Sequence, residues 1–465
     1  MKRLLLPALL FTTLTACTAA PADTLPAAAP TPTPASTPAP TAAPAPADAL
    51  TPEEKIGQLF IIRPDALDLT LPQETINDAK ADGVTMLTDA MRETLQAYPV
   101  GGICQFGKNI TDPEQLAQFN ADLQAASRTP LFIAVDEEGG AVARLANHPA
   151  FDLPQYESAA AVGASGDPAD ACAMGQTIGA YLKEYGFNMD FAPDADVNTN
   201  PDNPIIGTRA FSSDAATAAE MAAAAADGLR TGGILPTLKH FPGHGDTAED
   251  SHTALAVTYK TLDELQACEL LPFAADTGLH AVMVGHIAAP NVTGDGTPAT
   301  LSPQLVALIP DAENTLIVTD SLAMDAITAA YTPGEAAVQA LQAGCDVLLM
   351  PNSLPEAYAA VLEAVQNGTI SEERLDRSVN KILLYKQQFA SKGGQSSGRR
   401  QPRRNKRGTL CPTPSGPLTA RFLPSAFRAS SAIPSSCSPR WTASSRRALS
   451  KLSPRRALKR RTIPI

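Results

Sequence analysis

Short apolar runs recur through the middle of the chain, at residues 59–63, 102–106, 131–136, 187–192, 234–240, 281–286, 315–320 and 346–350. Between them lie Ala-rich or amphipathic stretches with helical spacing, such as 113–127, 169–185 and 215–231. Continuous apolar runs of this length suit parallel strands covered on both faces. Thr51-Pro52-Glu53-Glu54 opens the series as a helix-starting capping box, with Thr51 as N-cap and Glu54 reaching back to it. Eight strands alternating with helices predict an α/β fold, a (β/α)8 TIM-like barrel over residues 49–392. A doubly wound open sheet is the alternative.

The polar positions separate these two folds. Strand after strand ends in functional groups: Asp136 and Glu138, Asp194 and Asp196, Lys239 and His240, His286, and Asp320. Polar groups at the carboxyl ends of many strands suit a barrel mouth. An open sheet would gather them at one switch point, and the first βα turn carries no GxGxxG loop.

Both ends depart from this pattern. Met1-Lys2-Arg3 and the apolar run that follows read as a secretory signal, too short to span a bilayer. Leu14-Thr15-Ala16-Cys17 resembles a bacterial lipobox, so residues 1–17 are expected to be a lipoprotein signal with Cys17 lipidated; an ordinary signal peptide with a chance cysteine is the plainer reading. Residues 18–48 are Ala/Pro/Thr-rich with nine prolines, an extended spacer with nothing to bury. Residues 393–465 form a basic low-complexity tail. It reads either as a frameshift product or as a segment attracted to anionic polymer or lipid.

The formal net charge of −12 conceals that tail. From Ser391 onward there are 18 Lys and Arg and no acid, so residues 1–390 carry −30, which argues against nucleic acid as a partner. Seven scattered cysteines show no CxxC spacing, hence no zinc or redox motif and no evident disulfide framework.

Candidate chemistry concentrates in Leu238-Lys239-His240-Phe241-Pro242-Gly243-His244-Gly245-Asp246-Thr247-Ala248-Glu249-Asp250-Ser251-His252, which holds three of the six histidines. Asp250 and His252, if extended, project to the same side, so the carboxylate can orient the imidazole as an acid and base near neutral pH. Ordinary turn hydrogen bonds would explain the same pair. His240 and His244 have helical spacing, but Pro242 and Gly243 between them make a zinc-binding helix a minor reading. Asp320, after the apolar Leu316-Ile317-Val318, could be a nucleophile, a metal ligand or a helix N-cap.

Taken together, Lys239-His240-Phe241-Pro242-Gly243-His244-Gly245 with Asp250-Ser251-His252 resembles the signature of glycoside hydrolase family 3 β-N-acetylhexosaminidases. Three further motifs resemble that family in order: Asp136-Glu137-Glu138-Gly139-Gly140-x-Val142-x-Arg144, Gly207-x-Arg209-x-Phe211-Ser212-x-Asp214 and Thr319-Asp320-Ser321-Leu322-x-Met324. The resemblance covers residues 51–390 or so. It implies retaining, exo-acting release of terminal β-linked N-acetylglucosamine, with Asp320 as nucleophile and His252, oriented by Asp250, as acid and base. It implies sugar binding by Asp136, Arg144, Arg209, Lys239 and His240, and no metal or cofactor. Glu138, His244 and Asp246 are expected close by, and Gly243 and Gly245 are expected to let the loop carry His252 inward. Some relatives carry a further α/β domain where this chain has its basic tail.

The expected partner is an N-acetylglucosamine-containing glycan, from peptidoglycan fragments or chitin. The expected location is the outer face of a bacterial membrane, on a lipid anchor, as a monomer. A family 3 β-glucosidase, a glycoside phosphorylase and a non-catalytic sugar-binding lipoprotein are the alternatives.

Overall fold

The computed structural model describes residues 46–248 and 255–389. Cys17, most of the spacer, Asp250, His252 and the tail from 393 onward lie outside the described residues.

Eight short strands form one all-parallel sheet: β1 Phe60–Ile62, β2 Gly102–Cys104, β3 Phe132–Val135, β4 Met189–Asp190, β5 Leu235–Phe241, β6 Ala281–Val284, β7 Leu316–Thr319 and β8 Leu348–Leu349. Each pairs with its neighbour in chain order, and β1 pairs with β8 through Phe60↔Leu348 and Ile61↔Leu349. A parallel bridge between Val318 and Val347 joins β7 to β8, so the sheet curls into a barrel and leaves no open edge. Every strand residue is buried, as continuous apolar runs require when helices cover one face and the barrel core the other.

The helices begin where the sequence supplies a cap. Thr51 and Glu54 close the expected box at the head of α1, Pro52–Gln58. Asp112, Asp167 and Asp214 cap α2 (Pro113–Ala126), α3 (Pro168–Glu184) and α4 (Ala215–Thr231) by accepting backbone N–H bonds. The Ala-rich composition of α3 and α4 has a packing reason. A Cβ on Gly175 would stand 2.2 Å from the Ala225 carbonyl oxygen, so only glycine lets the two backbones approach this closely.

At the amino ends of the strands, two buried carboxylates are bonded through both of their oxygens. Asp346 accepts from Lys381 Nζ at 2.7 Å, Ser378 Oγ at 2.5 Å and the Ile317 N–H at 3.1 Å. Asp276 binds Arg230 through both oxygens, at 2.6 and 2.8 Å, and faces His280 at 3.3 Å. Burial opposes ionisation of Asp276, but His280 and Arg230 outweigh it and bring its carboxyl down to about 2. Lys386, on the last helix Glu372–Phe389, donates to Gln58 Oε1 at 2.6 Å beneath the Phe132 ring.

Candidate active site

The opposite end of the barrel gathers the sequence-predicted residues. After β3 the chain turns through a small antiparallel ladder, Glu137–Gly139 against Val142–Ala143. Gly139 and Gly140 sit at φ 82° and 65°, where a side chain is strained, so the two glycines are what the turn demands. Glu137 points into the protein and locks the turn, accepting from the Leu145 and Ala146 N–H groups at 2.9 Å and from Tyr181 Oη at 2.8 Å. Its neighbours Asp136 and Glu138 face the mouth.

Lys239, near the end of β5, bridges both acids: its Nζ lies 2.8 Å from Asp136 Oδ1 and 2.6 Å from Glu138 Oε1. Arg209 arrives on the turn Gly207–Arg209 and grips Glu138 bidentately, Nε at 2.8 Å and Nη2 at 2.7 Å. Arg144 reaches Asp136 at 3.8 Å. Burial works against the charges of Asp136, Glu138, Lys239 and Arg209. Lys239 and Arg144 nevertheless hold Asp136 below the usual carboxylate range, and Arg209 and Lys239 hold Glu138 well below it. The acids in turn raise Lys239 and Arg209 above their ordinary values against the same burial.

His240 joins this network from the next position. Its Nδ1 lies 2.7 Å from Asp196 Oδ2, and its Nε2 lies 3.4 Å from Arg209 Nη2. A guanidinium only donates, so Nε2 accepts and the ring proton sits on Nδ1, given to Asp196. Asp196 also accepts the His244 N–H at 2.5 Å, and its two histidine neighbours lower its pKa in spite of burial. Asp194 behaves oppositely: burial and the adjacent Asp196 charge push it well above the carboxylate range.

Asp320 follows β7, half-buried, with its N–H on the Val284 carbonyl at 2.9 Å and its Oδ1 accepting from Ser321 N–H at 2.7 Å. It is not a helix cap, because the next helix, Asp325–Thr328, starts after Met324 with no side-chain cap. His286 steadies the same turn: Nε2 lies 2.8 Å from the Ser321 carbonyl oxygen and Nδ1 lies 2.7 Å from Thr300 Oγ1.

Five predicted sugar-binding residues therefore meet in one network: Asp136, Arg144, Arg209, Lys239 and His240. Asp320 stands at the same end of the barrel, and its charge is felt by His244. Asp250 and His252 lie outside the described residues. The segment ahead of them differs from the expected hinge. Gly243 and Gly245 are buried; Gly243 sits at φ 123°, which favours glycine, and a Cβ on Gly245 would stand 2.0 Å from the Val197 carbonyl oxygen, so Gly245 serves close packing. For a metal, donor atoms of Asp194, Asp196 and His240 lie within 4.8 Å of one another, the one such grouping among the described residues. Arg209 already places positive charge against it, 3.6 Å from Asp194 Oδ2.

Sequence reasoning undervalued Glu138, which pairs with two cations, and did not single out Arg63 at the end of β1. Glu138 had a usable signal. It stands two residues after Asp136 on extended chain, and such positions share a side.

The sequence profile described as "Glycosyl hydrolase family 3 N terminal domain" matches residues 51–384. The chain is 32% identical over 335 residues to the Beta-hexosaminidase A of Pseudoalteromonas piscicida, covering 65% of this chain and 56% of that protein. It is 32% identical over 366 residues to the Beta-hexosaminidase LpqI of Mycobacterium tuberculosis, covering 72% and 83%. Among solved structures, a glycoside hydrolase family 3 beta-N-acetylglucosaminidase from Paenibacillus sp. superposes with a TM-score of 0.66 at 37% identity, covering 76% of this chain and 65% of that one. The chain thus spans little more than half of the first relative and most of the second.

Proposed function

The chain belongs to glycosyl hydrolase family 3, and within that family we propose that it is a retaining, exo-acting β-N-acetylhexosaminidase. Its substrate on this reading is a terminal β-linked N-acetylglucosamine on a peptidoglycan fragment or chito-oligosaccharide. One observation carries the reading: an interlocked network of Asp136, Glu138, Arg144, Arg209, Lys239 and His240 shares a barrel mouth with the half-buried Asp320.

In the proposed sequence the sugar's hydroxyls bind Asp136, Arg144, Arg209, Lys239 and His240, whose directions are preset by Glu138 and Asp196. An Asp320 carboxylate oxygen attacks the anomeric carbon, and the bond to the leaving oxygen breaks. His252, oriented by Asp250, gives that oxygen a proton. Water then attacks the glycosyl ester, His252 takes the water's proton, and Asp320 is released with the sugar in its original configuration. Retaining glycosidases commonly hold two carboxyl groups roughly 5–5.5 Å apart, a spacing that does not carry over where a histidine replaces one. Hydroxyl contacts that strengthen as the ring flattens favour the transition state over the ground state. By extension, Cys17 carries the lipid that keeps the enzyme on the outer face of the membrane. Among the described residues no helix is long and apolar enough to cross a membrane.

Turnover of an aryl β-N-acetylglucosaminide and of the matching β-glucoside, with and without phosphate, tests the reading. The expected result is hydrolysis of the first, little of the second, no phosphate dependence, and a loss on the order of 10³-fold or more in Asp320→Ala. Preference for the glucoside, or trace turnover untouched by Asp320→Ala, would overturn it.

A further inference from the structure

Asp246 has no part in the hydrolysis proposed above, yet it joins a set of polar contacts that draws distant pieces of chain together. Its Oδ2 accepts from Thr258 Oγ1 at 2.8 Å, although the two residues stand 12 positions apart. Its Oδ1 faces Lys260 Nζ at 3.5 Å. Lys260 also pairs closely with Glu269 and lies 3.5 Å from Thr199 Oγ1, which itself donates to Glu269 Oε1 at 3.3 Å. Thr258 and Glu269 are buried, while Asp246 and Lys260 are half-buried.

Both sides of the Asp246–Thr258 bond are anchored to the barrel. Ahead of it, the turn 244–247 is pinned to the loop after β4. Asn203 Nδ2 donates to the His244 and Thr247 carbonyl oxygens at 2.8 and 3.0 Å, and Asn200 Nδ2 donates to the Thr247 carbonyl oxygen at 3.0 Å. Beyond it, Ala256–Val257 pairs in parallel with Ile287–Ala288, just after β6, and the Thr258 N–H donates to the Ala288 carbonyl oxygen at 2.9 Å. Glu269 lies directly against the Gly243 turn, where an added Cβ would stand 2.5 Å from the Glu269 Cβ. The Asp246–Thr258 bond thus brings the two ends of one segment to a single point, and Lys260 fastens that point to the carboxylate beneath the turn. Asp250 and His252 belong to that segment.

We infer that Asp246, Thr258 and Lys260 are positioning residues for proton transfer: they set where the segment bearing the acid and base leaves and rejoins the barrel, and so govern how well His252 reaches the leaving oxygen. The inference rests on the role given to His252 in the hydrolysis proposed above. Tying the ends of a short segment removes many of the arrangements open to whatever lies between them. Proton transfer needs donor and acceptor within hydrogen-bond reach, so a neck held by one neutral and two charge-assisted contacts acts on the rate.

The test uses the full-length protein and two aryl N-acetyl-β-glucosaminides. One releases phenol, whose oxygen needs a proton to depart; the other releases 2,4-dinitrophenol, which departs as the anion. The ratio of the two kcat/KM values within one preparation cancels any loss of folded protein. Thr258→Val, which keeps the shape and removes the hydroxyl, and Asp246→Ala are each expected to lower kcat/KM on the phenyl substrate roughly 10- to 100-fold, the scale of a displacement of about 1 Å, and to leave the dinitrophenyl substrate within about threefold of wild type. Lys260→Met is expected to follow the same pattern and Lys260→Arg to retain most of the activity. Added to His252→Ala, Thr258→Val is expected to cause no further loss, because it acts through the histidine. Equal losses on both substrates, wild-type rates on both, or a further loss beyond His252→Ala overturns the positioning role. A His252→Ala variant that keeps the wild-type ratio overturns the acid role itself, and the positioning role with it.

Discussion

The two ends of this barrel handle buried charge in opposite ways. At the amino ends of the strands, both oxygens of Asp346 and of Asp276 are bonded, and Lys386 is enclosed with Gln58. At the carboxyl ends, ion pairs just as close coexist with buried atoms that have no hydrogen-bond partner: Arg144 Nε, Asp194 Oδ2 and Ser321 Oγ. A buried polar atom left unmatched costs about 1–3 kcal/mol, and the mouth carries that cost at these three atoms. The base is closed and holds strands to helices.

This contrast makes opposite predictions for similar substitutions. Asp346→Ala strands Lys381 and Arg374 near a closed base, so unfolding in urea should show a loss of about 3–5 kcal/mol. The folded fraction should keep its kcat/KM. A variant of normal stability that has lost activity would dissolve the division between the ends. Arg144→Ala removes a partly exposed cation at the mouth, 3.8 Å from its acid. There kcat/KM should fall roughly 10- to 100-fold, with stability changed by about 1 kcal/mol or less. A loss of stability with unchanged kinetics would assign Arg144 to the scaffold.

Lys386 tests the base by pH. Burial pushes its ammonium down to about 7, below the unfolded value near 10.4. The charged form is disfavoured in the folded state. The penalty is therefore full below about pH 7 and fades as pH rises towards about 10. Lys386→Met should raise stability by about 1 kcal/mol at pH 6, with the gain over wild type vanishing by about pH 10. A difference that stays constant between those pH values would show that the lysine's charge is not what the base is paying for.

Much of the fold was legible because it rests on local signals. Capping residues at Thr51, Asp112 and Asp214 lie within three positions of the groups they satisfy. Apolar runs such as 315–320 report burial on both faces directly. The site was legible to the extent that motifs keep chemistry at fixed spacing, as in Lys239-His240. Gly245 shows the limit of such motifs, because a glycine that frees a loop and a glycine that admits a neighbouring carbonyl look alike in one dimension.

The sequence by itself determined that eight buried strands alternate with helices, that functional groups collect at their carboxyl ends, and that Asp136, Arg144, Arg209, Lys239, His240 and Asp320 belong to those ends. Only the tertiary structure decided how they are charged and to whom they are bound. Asp194 and Asp196 are two residues apart and identical in type, yet burial with an anionic neighbour raises the pKa of one while two histidines lower that of the other against the same burial. Arg63 and Arg209 are likewise the same residue in the chain, and only the fold commits Glu138 to Arg209 and seats Arg63 over the Phe106 ring. Ionisation and pairing depend on groups brought within a few ångströms from 44 to 103 positions away, and that proximity is made by closing the barrel.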